Sequence, residues 1–132
     1  MINIKISVVK NGQVLTPPLP VQLQDGANVQ MAMEAAYNGN TNPHQIGFSL
    51  KYFGSALGYL VTEIDGLSSQ ANLYWILYVK SSGSNWTISN LGIDHEILND
   101  GDQVEFRYEP YSVATHGNTV YRIKHEAYLK QK

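Results

Sequence analysis

Ile2, Ile4, Ile6 and Val8 alternate with Asn3, Lys5 and Ser7. A period of two marks a strand with one buried face. Asn11-Gly12 follows, a pair that tolerates positive φ at both centres of a tight hairpin turn. A returning strand begins at Gln13 and is interrupted by Pro17, Pro18 and Pro20. Proline cannot donate to a ladder, so this stretch belongs on a sheet edge or in an extended excursion. Alternation resumes at Val21 and Leu23.

The period then changes. After a turn at Asp25-Gly26, residues Val29, Ala32, Met33, Ala36 and Tyr37 fall on one face of a helix of about three turns. Asn28 is placed to cap its start, and Asn38-Gly39 to end it with a left-handed residue. Residues 39–44 are rich in turn formers and read as loop. Ile46, Phe48 and Leu50 alternate as a strand, residues 53–58 (FGSALG) form a glycine-bounded turn, and residues 59–64 form the next strand. Asp65-Gly66 turns the chain. Residues 73–79 are nearly all apolar, as in a central strand buried on both faces. SSGSN (81–85) is the tip beyond it, and residues 86–98 read as irregular chain or short strand. A turn at residues 99–102 opens a last core strand through Val104, Phe106 and Tyr108, ended by Pro110.

Residues 111–132 read in two ways. A hairpin turned at His116-Gly117-Asn118 would join 111–113 to 119–123, or a short polar helix would start near Val120. The strand reading is preferred. Two strands, a helix, then four or more strands predict an α+β domain, β-grasp-like, with the helix on one face of a curled mixed sheet.

With 132 residues and neither repeat nor linker, the chain reads as one domain. A chain of this size buries roughly two-thirds of its unfolded surface. A net charge of −2 with no basic stripe argues against nucleic acid and against an anionic membrane surface. The absence of cysteine excludes disulfides, thiolate catalysis and cysteine-ligated metal. No stretch approaches the ~20 apolar residues of a spanning helix. The opening MINIKISVVKNG alternates, so it is expected to be a strand and not a signal peptide. That leaves a cytoplasmic chain or a mature segment behind an added Met1. Nine tyrosines against three phenylalanines suit half-buried strands, and equally a binding surface.

Four motifs occur in a distinctive order: YLVTEIDGL (59–67), YWILYV (74–79), Gly92 and LNDGDQVEFRYE (98–109). This order resembles the β-grasp domain at the C-terminal end of transcobalamin and intrinsic factor, and more closely a bacterial transcobalamin-like family. The helical stretch NVQMAMEAAYN resembles the family's helix after a DG turn. The resemblance runs over residues 2–109 of a single domain and leaves 110–132 as an extension beyond the family pattern. It implies an extracellular or cell-surface setting, and a ligand held by hairpin loops at one end of the sheet. The implied ligand is cobalamin or another corrinoid, with no cofactor required. In transcobalamin a helical domain completes the site, and these 132 residues hold no counterpart. The matching loops are 53–58 and 81–88. They nominate Phe53, Ser55, Ala56 and Leu57 from the first, and Ser82, Gly83, Asn85, Trp86 and Ile88 from the second. Trp86 would pack on the ligand while serines and backbone amides bond its amide side chains. Trp75, on a central strand, is assigned to the core beneath the helix.

The remaining chemistry points away from catalysis. His44, His95, His116 and His125 show no metalloprotease spacing, and Asp94, His95 and Glu96 would point to opposite faces of a strand. No GxSxG is present, GSALG lacks the lysine of a phosphate loop, and the serines at 81, 82 and 84 sit in a glycine tip. Glu63 reads as a solvent-facing strand residue, and Asp100 and Asp102 flank a turn glycine. Asn85-Trp86-Thr87 is a glycosylation sequon that matters only in a secreted eukaryotic setting. The sequence therefore reads as a binding module with no acid, base and oxyanion donor assembled. The alternative is a carbohydrate- or protein-interaction module, self-associating through strand edges, with the extension paired to a second copy.

Overall fold

The computed structural model describes residues 1–38, 46–70, 72–117 and 119–130. The readings made for Gly39, the loop through His44, and Asn118 lie outside the described residues.

The first hairpin forms as the pattern requires. β1 (Ile2–Lys10) and β2 (Gln13–Leu23) pair antiparallel about Asn11 and Gly12, whose φ values are 49° and 81°. β2 continues past its prolines as the sheet's edge strand, but its register against β1 shifts between Leu19 and Thr16, so that Pro17 and Pro18 bulge out of the pairing while Pro20 stays opposite Lys5. α1 (Val29–Asn38) follows, with Val29, Ala32, Met33 and Ala36 buried. Tyr37, expected on the same face, is about half exposed at 48%. It lies one residue beyond Ala36, at the rim of the buried stripe.

Asn28 caps the helix as expected. Its Oδ1 accepts the Met31 N–H at 2.9 Å, while its Nδ2 donates to the Asp94 carbonyl at 3.1 Å. The cap thus ties α1 to residues 93–96, whose carbonyls at Glu96 and Ile93 also accept the Val29 and Gln30 N–H groups. Asn28→Ala is expected to cost about 1–2 kcal/mol, read as a lower urea midpoint with unchanged slope.

The later strands are β3 (Phe48–Tyr52), β4 (Tyr59–Ile64), β5 (Leu67–Ser68), β6 (Leu73–Lys80), β7 (Thr87–Ile88) and β8 (Gln103–Pro110). They form two sheets and not one curled sheet: β2-β1-β8-β6-β7 and β3-β4-β5. β1 runs parallel to β8 at the centre of the larger sheet, with β6 antiparallel on the other side of β8. The chain is α+β. Its main core lies between the inner face of the larger sheet, where Ile4, Ile6, Trp75, Leu77, Val104 and Phe106 point inward, and a cover made of α1 over β1 and β2 and of the smaller sheet over β6. Trp75 is 1% exposed, packs at 4.9 Å on Tyr108, and donates from Nε1 to the Leu67 carbonyl at 2.7 Å.

The extension is helical, against the preferred strand reading. α2 (Val113–His116) is one turn, and α3 (Val120–Lys130) is three. Both pack onto the domain's own sheet and do not project as a free strand: Tyr111, His116 and Tyr121 are all buried. The reason lies in β6. Its alternate residues Tyr74, Ile76 and Tyr78 face away from α1 and are also buried, so this second face needs a cover.

Candidate functional site

That second face carries its own apolar cluster of Leu60, Tyr74, Ile76, Tyr78, Tyr111 and Tyr121. Phe53, Leu57, Trp86 and Ile88 pack against it, each half-buried. Four of the nine nominated residues thus meet around one cluster, although they come from two loops. Loop 53–58 is held there by the Phe53 N–H on the Gly58 carbonyl and by the Gly92 N–H on the Leu57 carbonyl. A Cβ at Gly92 would lie 2.3 Å from that carbonyl, so the approach needs glycine. Ser55 and Ala56 are exposed on the same loop. Ser82, Gly83 and Asn85 are exposed at the other tip, where Ser82 neighbours Gly101 of the following turn.

Beside Trp86 a cleft of about 600 Å³ opens. Its sheet-side wall is Tyr78, Trp86, Thr87, Ile88 and Arg107, and its other wall is residues 113–117. The Arg107 guanidinium lies 3.8 Å above the Tyr78 ring and 5.6 Å from the Trp86 ring. Lys80 Nζ stands 6.0 Å from Trp86 on its own account. Ring faces attract cations in this arrangement. Arg107 is fixed further by Glu105, which also accepts the Ser7 hydroxyl.

The polar groups behind the cleft satisfy one another. Tyr78 OH donates to Glu109, and His116 Nε2 lies 3.1 Å from the same carboxylate oxygen. The Ser112 N–H donates to His116 Nδ1 at 2.7 Å, which leaves the proton of the neutral ring on Nε2. Burial, then the bond to Glu109, pushes the Tyr78 phenol well above its usual range. The network therefore presents neutral donors locked to an acceptor. What the cleft offers a ligand is aromatic surface and a fixed cation.

Other nominated chemistry resolves into structure. Asp94 accepts the Tyr59 N–H at 2.8 Å, and Glu96 accepts the Ser89 hydroxyl at 2.5 Å, in a turn and not a strand. His95 lies 3.7 Å from Asp94 and against Gly58. Glu63 accepts the Ser49 hydroxyl on the exposed face of β4, as a solvent-facing strand residue, and Asp65 accepts the Gly47 N–H. Asp102 accepts the Asn99 N–H within the turn, and Asp100 accepts the Asn3 N–H and so ties the turn to the start of β1. A second hollow of about 560 Å³ is lined in part by Glu34, Glu63 and Asp65, between the end of α1 and the smaller sheet. Among the described residues no group of three histidine or acidic side chains could hold a metal. Among them, too, no helix is long and apolar enough to cross a membrane.

Residues 26–110 match a family described as a domain of unknown function, DUF4430. The chain belongs to the DUF4430 family. The matched residues run from the turn before α1 to the end of β8, so α2 and α3 lie beyond them. The DUF4430 domain is similar to the crystal structure of haptocorrin in complex with Cbi, with a TM-score of 0.64 and 24% identity over 84% of this chain. It spans 25% of that haptocorrin chain. It is also similar to a protein from Ruminococcus gnavus described as a candidate metal binding protein, with a TM-score of 0.58 and 14% identity. That match covers 85% of this chain and 100% of the other. No curated protein sequence matches. The expected transcobalamin-like relationship thus holds at the level of the fold.

Sequence reasoning missed Tyr78, Arg107 and residues 113–117 as walls of the cleft. Tyr78 and Arg107 stood inside two quoted motifs, where the alternation of each strand places them on the face away from α1.

Proposed function

We propose that this domain binds a small soluble ligand without transforming it, in the cleft beside Trp86, and that the ligand is a corrinoid. The observation that carries the reading is Trp86 itself. It is half-buried at the cleft mouth, flanked by Arg107 and Lys80, and packed on the same cluster as Phe53, Leu57 and Ile88. A volume of about 600 Å³ lies within the usual range for small-ligand sites. A broad conjugated ring would lie against Trp86 and Ile88, and its amide arms would reach Ser55, Ser82 and Asn85 at the exposed tips. The corrinoid class is supported by the fold shared with haptocorrin, whose structure holds Cbi.

Trp86→Ala is expected to weaken cobinamide binding at least about tenfold in calorimetry, the scale of one lost aromatic hot-spot contact. Thermal denaturation should stay close to wild type, because the ring is only partly buried. Loss of the fold in Trp86→Ala would assign the residue to the core and remove it from the site.

One feature favours a different occupant. Tyr52 and Tyr59 form an exposed ring pair with centroids 4.9 Å apart beside loop 53–58. Such rings suit a sugar face or a protein hot spot. A concentration-dependent mass in light scattering, with no response to corrinoids, would favour this interaction reading.

A further inference from the structure

The segment beyond β8 crosses the outer face of the larger sheet and is anchored there in an uneven way. At one point the anchor is strong. Tyr121 is 2% exposed, and its hydroxyl accepts the backbone N–H of Leu77 at 2.8 Å. Leu77 lies just short of the two residues of β6 that pair with β7, so without Tyr121 this N–H would lose its partner in a buried place. Tyr111 adds a bond from its N–H to the Asn72 carbonyl at 3.1 Å, and His116 adds its contact with Glu109.

One turn along α3 the anchor is weak. The Nζ of Lys124 is buried and, among the described residues, has no hydrogen-bond partner. It lies 5.4–5.8 Å from the ring centres of Tyr74, Phe53 and Tyr121. Ring faces return part of an ammonium's lost hydration, but a buried charge without hydrogen bonds still opposes the packing around it. The groups that face it do not relieve this. Lys51, from β3, is a second positive charge; Tyr74, from β6, and Tyr121, from α3, are phenols; His125, its neighbour on α3, lies against Tyr74.

We propose that residues 111–130 are a strap over the outer face of the sheet, fastened by Tyr121 and held releasable by the buried ammonium of Lys124, so that loss of this one proton tightens it. The strap supplies residues 113–117, the second wall of the Trp86 cleft. Where the binding reading above holds, the strap therefore governs whether that cleft is complete. The strap itself stands without that reading.

The sign follows from linkage. Burial, with a smaller contribution from Lys51, lowers the Lys124 amine from 10.5 to about 8 in the docked strap. The docked form then holds fewer protons than the released one. Docking is weakest below about pH 8 and strengthens as pH rises toward 10.5, by up to about tenfold per unit.

The amide of Leu77 reports the strap without any ligand. Its hydrogen exchange, measured by NMR and corrected for intrinsic rate, is compared between wild type and Lys124→Met at about pH 7. The Phe106 amide in the sheet centre serves as the global control. The variant is expected to protect Leu77 at least about tenfold more, with little change at Phe106. Equal protection of Leu77 in both proteins, or an equal rise at both amides, would overturn the proposal. If Lys124→Met folds poorly, the wild-type pH series decides. Leu77 protection rising from about pH 7.5 to 9 relative to Phe106 supports the strap, and a flat ratio sinks it. Neither arm uses a corrinoid, so failure here is distinct from failure of the binding reading.

Discussion

Trp75→Ala is expected to cost about 3–5 kcal/mol, the scale for deleting a fully buried aromatic side chain. A domain of this kind has about 5–15 kcal/mol in total, so the variant should lose a large part of its stability and unfold at a much lower urea concentration. Two features set the size of the effect. The ring sits in the main core, 1% exposed and packed on Tyr108 beside the smaller sheet, where the removed atoms leave a cavity. Its Nε1–H also satisfies the Leu67 carbonyl, binding β6 to the short strand that ends the smaller sheet. Trp75→Phe separates the two. It keeps most of the packing and loses the hydrogen bond, with an expected loss of about 1–3 kcal/mol. Urea unfolding followed by circular dichroism measures both. A Trp75→Ala protein within about 1 kcal/mol of wild type would mean that the inner core is assigned to the wrong residue.

Tyr121→Ala is expected to be nearly as costly in packing, about 3–5 kcal/mol where the ring is lost, but with a different outcome. Tyr121 fastens an appended segment and does not sit between α1 and the sheet. The segment should therefore detach while the inner core stays folded, because the local cost need not exceed what holds the core. The expected signs are rapid proteolysis within residues 111–130 and lost protection at the Leu77 amide, with the Phe106 amide still protected. Tyr121→Phe isolates the hydroxyl. It leaves a buried N–H unmatched and should cost about 1–3 kcal/mol, mostly as faster exchange at Leu77. Unchanged exchange in Tyr121→Phe would contradict the bond that fastens the strap.

Much of this was legible in the chain. The alternation of Ile2, Ile4, Ile6 and Val8 and the Asn11-Gly12 pair led directly to the first hairpin, because period and turn chemistry are local. The cap at Asn28 was equally local. Tyr37 was misplaced because it sits at the rim of a helical stripe, where one residue of rotation decides exposure. The tail was misread for a different reason. Its helix exists to cover Tyr74, Ile76 and Tyr78, a tertiary demand that no local propensity in residues 120–130 announces. A trace of that demand was present all the same: β6 is apolar on both faces, one helix covers only one, and the extension was the remaining segment. The candidate site followed the same division. Trp86 and Phe53 stood out as rings beside polar or glycine-rich tips. Arg107, Tyr78 and residues 113–117 joined them only through packing across the sheet.

The measurement that bears most directly on the central claim is a titration of cobinamide and of cobalamin into the purified protein, followed by visible absorbance. The account predicts a saturable spectral change with a micromolar or tighter Kd. A flat response from a protein shown to be folded would contradict the corrinoid assignment and leave the outer face to a glycan or protein partner.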